Sequence, residues 1–296
     1  MGWANYELMG SVEETIRRLT EERGRARVVA GGTDLVVQLM EEGQREVSTL
    51  LDISQISEIR GITESDGHLL IGAATTISEL ASSELIWEKA RALAQGARFL
   101  GSPQIRNVAT VGGNVVNAQP AADTSIPLVA LGAEAKIVSS EGERWVLVEE
   151  LFRGVGMSAV DPCRELLTQF RVPVYEPPQR ASTMERLARR KAFTLPTLSV
   201  AVSVESDRRR ERFSRARIVL APVAPVPWRA RRAEEAIKGA DLTKAHIREV
   251  AAIAREEAWP RESLRGGVDY RKDMVEVLTS RALVHVLSLL KREPHE

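Results

Sequence analysis

The sequence holds a single cysteine, Cys163, among 296 residues. One thiol cannot close an internal disulfide, complete a thiolate zinc site or hold an iron–sulfur cluster. Redox chemistry on protein sulfur is therefore excluded, and the cytoplasm is the expected location. Neither sign of charge is in excess, with 41 Lys and Arg against 41 Asp and Glu. Such a chain lacks the basic footprint of a nucleic-acid binder. No window approaches the ~18 apolar residues of a membrane span. Met1–Tyr6 lacks a basic region followed by an apolar one, so no secretion signal is expected. Tyr6 also stands where a myristoylation signal needs Ser or Thr. The four histidines, His68, His246, His285 and His295, never fall at metal-ligand spacing, so no metal is expected. No Ser/His/Asp or paired-carboxylate constellation stands out either, and no catalytic residue is assigned.

What remains is ordinary globular composition, 44% apolar and 28% charged, at a length suited to about two domains. Ser11-x-x-Glu14 reads as a capping box before a short helix that buries Ile16 and Leu19. The β-rich burst Val28-Val29-Ala30 runs into Gly31-Gly32-Thr33-Asp34, and a helix over 35–40 stops at Gly43. With a strand at 48–53, residues 11–53 form a small α/β unit. Residues 59–73 read as a hairpin turning at Asp66-Gly67, with Ile59 and Ile62 on one arm. Thr76-x-x-Glu79 caps a helical stretch reaching about Ala97. From Phe99 to Ala133 charge is sparse and glycine too frequent for a helix; loops that long are usually functional. A second hairpin turns at Glu141-Gly142, and 166–172 is a further strand. Tyr175-Glu176-Pro177-Pro178 marks the domain boundary, followed by a polar segment. Strands at 197–204 and 216–220 and helices at 243–258 and 270–291 close the chain. Leu278, Ala282, Val286 and Leu290 make one core-facing row. Arg208 to Arg217 reads as a solvated hairpin tip, since no stacking aromatics interleave it.

Two glycine pairs are the site candidates. A strand ending in Gly31-Gly32 before a helix leaves several main-chain N–H groups together, a phosphate cradle or an ordinary turn. No G-x-x-x-x-G-K-[ST] occurs, and Gly154-Val155-Gly156 has neither a third glycine nor a long following helix, which excludes P-loop and Rossmann sites. The second pair lies in Thr110-Val111-Gly112-Gly113-Asn114, upstream of Pro120-Ala121-Ala122-Asp123. Asp123 reads either as the N-cap of a helix over 126–131 or as an acceptor for ribose hydroxyls or a ring N–H. Two such loops suit a long ligand with a central pyrophosphate.

The order and spacing of Ala30-Gly31-Gly32-Thr33-Asp34-Leu35, Thr110–Asn114 and Pro120–Asp123 resemble the FAD-binding medium subunit of molybdenum hydroxylases. That family includes bacterial xanthine, carbon monoxide and aromatic-heterocycle dehydrogenases. The resemblance runs from about Tyr6 to Leu290, and includes the tail motifs Tyr270-Arg271-Lys272 and Arg281-Ala282-Leu283. It implies an α+β chain: a two-subdomain FAD-binding domain of the PCMH (vanillyl-alcohol-oxidase-like) type over 1–176, split near 55/56, then a smaller α/β C-terminal domain over 180–291. It places cofactor contacts at Val28, Val29, Ala30, Gly31, Gly32, Thr33, Asp34 and Leu35, and at Phe99. Further contacts fall at Thr110, Val111, Gly112, Gly113, Asn114, Asp123, Leu167 and Arg186. It implies FAD on this chain, with the molybdopterin cofactor and [2Fe-2S] clusters on a large and a small ferredoxin-like partner. Electrons would pass to NAD or another acceptor. The alternatives are a self-sufficient flavin reductase or oxidase on a related fold, and a scaffold that has lost its cofactor. No proton donor after residue 180 supports the first, and the intact glycines oppose the second.

Overall fold

Parallel pairing opens the chain. The computed structural model describes residues 3–41, 47–174, 179–190, 194–207, 209, 211–241, 243–262 and 266–291. β1 (Asn5–Leu8), α1 (Val12–Glu22), β2 (Ala26–Val29), α2 (Leu35–Glu41) and β3 (Thr49–Asp52) build a three-stranded parallel sheet of order β1-β3-β2. The central β3 is buried along its whole length. The edge strand β1 escapes sequence reading because Tyr6 and Leu8, its apolar residues, face solvent. Ser11 accepts from the Glu14 N–H as expected, but Glu14 reaches one residue further back, taking the Gly10 N–H at 2.8 Å. Gly43 lies outside the described residues.

A five-stranded antiparallel sheet follows, of order β4-β5-β10-β6-β7. Its strands are β4 (Ile62–Ser65), β5 (His68–Gly72), β6 (Glu134–Ser139), β7 (Gly142–Leu147) and, after the small hairpin of β8 (Phe152–Gly154) and β9 (Met157–Ser158), β10 (Leu166–Pro173). Asp66 and Gly67 both take positive φ, 51° and 72°, as a primed hairpin turn requires. Ile59 belongs to a single 3₁₀ turn, not to the hairpin arm.

The connection between β5 and β6 departs furthest from expectation. The predicted helix to Ala97 is three: α3 (Ile77–Ser82), α4 (Glu84–Lys89) and α5 (Arg91–Phe99). Thr76 and Glu79 form the expected reciprocal box, and Ser83 ends α3 while capping α4 with its hydroxyl. The glycine-rich run beyond Phe99 is also helical, in α6 (Pro103–Val108), α7 (Val111–Val116) and α8 (Ser125–Leu131). Gly112 and Gly113 sit in the first turn of α7, where packing against the chain outweighs their poor propensity.

The C-terminal part is an antiparallel sheet of order β11-β12-β13-β14 with three helices. Its elements are β11 (Arg180–Leu187), β12 (Leu198–Ser206), β13 (Phe213–Ala221), β14 (Trp228–Arg229), α9 (Arg231–Ile237), α10 (Lys244–Glu257) and α11 (Val268–Leu290). β11 replaces the expected polar segment. Its buried Ser182 and Thr183 hydrogen-bond to the Ala92 N–H and the Gln95 carboxamide, so burial there carries no apolar signal. The row Leu278, Ala282, Val286 and Leu290 is buried as predicted. Arg217 is not at a solvated tip but half-buried in β13, donating to the Val129 carbonyl. Residues 175–178 lie outside the described residues. One apolar cluster joins the two parts, running from Leu69 and Phe170 to Met184, Ala201 and Val219. Among the described residues no helix is long and apolar enough to cross a membrane.

Candidate functional site

β2 delivers the first glycine pair. Val28, Val29 and Ala30 pack into the apolar clusters around the parallel sheet, and Leu35 does the same where α2 begins. Gly31 lies against the end of α6: a Cβ there would stand 2.1 Å from the Val108 carbonyl oxygen. Gly32 takes φ of +64°, the left-handed region. The carbonyls of Gly32 and Asp34 start α2 by accepting from Val36 and Gln38. The N–H groups of Gly31, Gly32, Thr33 and Asp34 find no acceptor among the described residues. Four main-chain donors in a row are thus left for solvent or a ligand.

The second pair is built differently. Val111 and Gly112 donate to the carbonyls of Thr75 and Ala73, Gly113 to the Thr110 hydroxyl, and Asn114 to the Thr110 carbonyl. Its amides are consumed by the fold. Gly112 is tight against Ala73, where a Cβ would come within 2.8 Å. At Gly113 a Cβ would meet only the Thr110 hydroxyl, at 3.0 Å, with open space beyond. The Asn114 carboxamide oxygen accepts from the Thr124 hydroxyl at 2.5 Å and the Thr124 N–H at 3.4 Å. The two loops meet where Gly31 touches Val108 and Ala109, just before Thr110.

Asp123 does not cap α8; Thr124 holds that position, and no side chain caps the helix. The Asp123 carboxylate instead faces the Arg186 guanidinium across the two parts of the chain, at 3.3 Å, with side chains 9% and 4% exposed. The pair is off hydrogen-bond alignment, leaving Asp123 Oδ1 and Arg186 Nε buried without a hydrogen-bond partner among the described residues. Arg186 donates from Nη2 to the Thr194 carbonyl and lies 5.5 Å from the Phe99 ring centroid. Leu167 is buried in the common core on β10, opposite Ile137. Contacts therefore link Gly31 to the Thr110 loop, Asn114 to the 123–124 turn, and Asp123 through Arg186 to Phe99. Leu167 lies beneath this line rather than on it. Thr124 and Thr194, which hold Asn114 and Arg186, carry no motif by which sequence could have found them.

Burial pushes the Asp123 carboxyl up to about 6, against the opposing pull of Arg186. A carboxyl raised on folding contributes stability below its unfolded value and loses it as pH rises through the folded one. Asp123→Asn removes that dependence. The variant should gain on the wild type by on the order of 2 kcal/mol between about pH 4 and pH 7. Thermal unfolding of both apoproteins across that window checks this; parallel profiles would contradict it.

Residues 4–175 match the family described as the FAD binding domain in molybdopterin dehydrogenase. Residues 185–286 match the CO dehydrogenase flavoprotein C-terminal domain. The chain belongs to this FAD-binding flavoprotein family of the molybdenum hydroxylases. Among its relatives are the xanthine dehydrogenase FAD-binding subunit of Escherichia coli O157:H7, 29% identical and matched over 95% of each chain. The carbon monoxide dehydrogenase medium chain of Hydrogenophaga pseudoflava is also 29% identical, over 94% of this chain and 95% of that one. A solved carbon monoxide dehydrogenase from the same organism superposes with a TM-score of 0.88 at 30% identity, covering 97% and 98% of the two chains. Quinoline 2-oxidoreductase from Pseudomonas putida 86 gives 0.85 at 25% identity, covering 96% and 97%. Family and fold are those the sequence motifs implied: a two-domain α+β oxidoreductase flavoprotein of PCMH type.

Proposed function

We propose that this chain binds one FAD non-covalently and serves as the electron-transfer subunit of a multi-subunit molybdenum hydroxylase. The observation that carries the reading is the run of four N–H donors from Gly31 to Asp34 with no acceptor among the described residues, beside a second glycine loop left open at Gly113. The donors suit a pyrophosphate, which is anionic and rich in acceptor oxygens. Gly113 leaves the room a side chain would fill, and Thr110 and Asn114 flank it. Asp123 and Arg186 bring buried polar atoms that lack aligned partners, one an acceptor and one a donor, as a polar cofactor would need. Phe99 supplies apolar surface, Leu167 lies in the core beneath it, and Val28 to Ala30, Leu35, Val111 and Gly112 hold the loops in place. The residues present fit the group.

FAD, when bound, supplies the electron-carrying chemistry, between [2Fe-2S] clusters on a small ferredoxin-like partner and NAD or another acceptor. The substrate is oxidised on a large subunit with the molybdopterin cofactor. The FAD-binding domain spans 1–176, with subdomains of about 1–55 and 56–176, and the C-terminal domain spans 180–291. A one-cysteine chain at work among reduced partners is placed in the cytoplasm.

No His or Cys stands among these residues to tether a flavin covalently. Acid precipitation of the purified yellow protein should release all its colour, one FAD per chain, into the supernatant. Colour retained in the pellet would contradict non-covalent binding, and a colourless protein that takes up no added FAD would contradict the reading itself.

A further inference from the structure

The Asn114 side chain is held in one orientation by a residue outside both glycine loops. Its Oδ1 receives two donors from Thr124, the hydroxyl at 2.5 Å and the N–H at 3.4 Å. A carboxamide presents oxygen on one arm and NH₂ on the other, so two donors on the oxygen arm decide which way it faces. The NH₂ arm is left with no acceptor among the described residues. Asn114 follows directly on Gly113, where the space beyond the loop is open.

Thr124 is fully buried and occupies the N-cap position of α8. A threonine there ordinarily accepts from the second or third N–H of its helix. Neither duty exists here. The second N–H, of Ile126, goes to the Ala122 carbonyl, and the third helical residue is Pro127, which has none. The hydroxyl is given to Asn114 instead. Immediately beside Thr124 are Asp123 and Ser125, whose Oδ1 and Oγ are buried without hydrogen-bond partners among the described residues.

We infer that Thr124 is a positioning residue for the cofactor site, aiming the Asn114 NH₂ at the bound FAD and fixing the Thr110–Asn114 loop to the turn that carries Asp123. The inference rests on the FAD reading above. Thr124 itself makes no contact with the cofactor in this account; it acts through Asn114.

FAD-stripped protein titrated with FAD, followed by quenching of flavin fluorescence, tests this in five forms: wild type, Thr124→Val, Thr124→Ser, Asn114→Ala and the Asn114→Ala/Thr124→Val pair. Circular dichroism confirms the fold of each. Thr124→Val keeps the volume and removes the hydroxyl, and should weaken binding about tenfold, the scale of one strong hydrogen bond. Thr124→Ser, which keeps the hydroxyl, should recover to within about threefold of wild type. In the Asn114→Ala background Thr124→Val should change nothing further, because the residue it positions has gone. A general packing role would instead make the two losses add, and that result overturns the inference, as does unchanged affinity in Thr124→Val. If Thr124→Val fails to fold, Thr124→Cys takes its place: it keeps a side chain of similar size and exchanges the hydroxyl for a thiol, a weak donor. Its FAD affinity should fall about tenfold, and unchanged affinity overturns the inference. A wild-type chain that binds no FAD defeats the site reading, whereas wild-type binding with additive losses defeats the positioning role alone.

Discussion

Gly113→Val should leave the chain folded and weaken FAD binding by about a hundredfold, some 3 kcal/mol of binding free energy. The Cβ would press only on the Thr110 hydroxyl, at 3.0 Å, and the branched methyls would extend into the open space beside the loop. Nothing in the protein needs that space; a ligand lying against the main chain does. Gly31→Ala should behave in the opposite way. Its Cβ would be driven to 2.1 Å from the Val108 carbonyl oxygen and 2.8 Å from Ala109 Cα, both of them backbone. The junction between α6 and the first loop would have to separate. Overpacking of that kind costs about 3 kcal/mol, a fall in Tm of about 5 °C for a chain of this size. Gly32 lies between these cases, since any side chain there inherits a left-handed φ and crowds Val36 at 3.1 Å. Paired measurement of Tm and FAD affinity separates the two classes. Unchanged FAD affinity in Gly113→Val would reduce the second loop to a turn, and an unaltered Tm in Gly31→Ala would contradict the packing described for the first.

The two glycine pairs look alike as sequence, and the fold uses them differently. Gly31 and Gly112 are close-approach positions, against Val108 and Ala73. Gly113 is the open one. That division was not legible beforehand because the partners lie 77 and 39 residues away along the chain. Local signals were read well where the cause is local: the Thr76–Glu79 box, the Asp66-Gly67 turn and the α11 row follow from capping, φ and period. They failed where tertiary packing decides. Glycine content argued against helix over 99–110 and 110–117, yet α6 and α7 form there, ahead of the helix over 126–131 that one reading of Asp123 had offered, and each ends within about two turns. Polar β11 was missed because its buried hydroxyls are satisfied by α5 rather than replaced by apolar side chains. Asp123 kept two readings until the structure placed Thr124 at the cap and Arg186 across from the carboxylate. Of the candidate site, the loops were visible as motifs. Phe99, Leu167 and Arg186 were reached only through family resemblance.

An electron-transfer subunit should be inert toward substrate on its own. Among the described residues no three His, Cys, Asp or Glu side chains gather as a metal site, and the proposed role asks this chain for no acid–base pair and no substrate pocket. In the proposed complex, binding and orienting the flavin is its contribution, and electrons from a substrate oxidised on another chain would reach that flavin through clusters on the small partner. The FAD-loaded single chain should therefore show no turnover with purines, aldehydes or aromatic heterocycles, and the two partner subunits should restore it. The decisive measurement is anaerobic: flavin absorbance of the FAD-loaded chain is followed after each substrate is added, first alone and then with the iron–sulfur and molybdenum subunits. The account predicts no bleaching alone and full bleaching by the complex's own substrate in the assembled enzyme. Rapid bleaching of the single chain by any of these substrates would contradict it and establish a self-sufficient flavoenzyme.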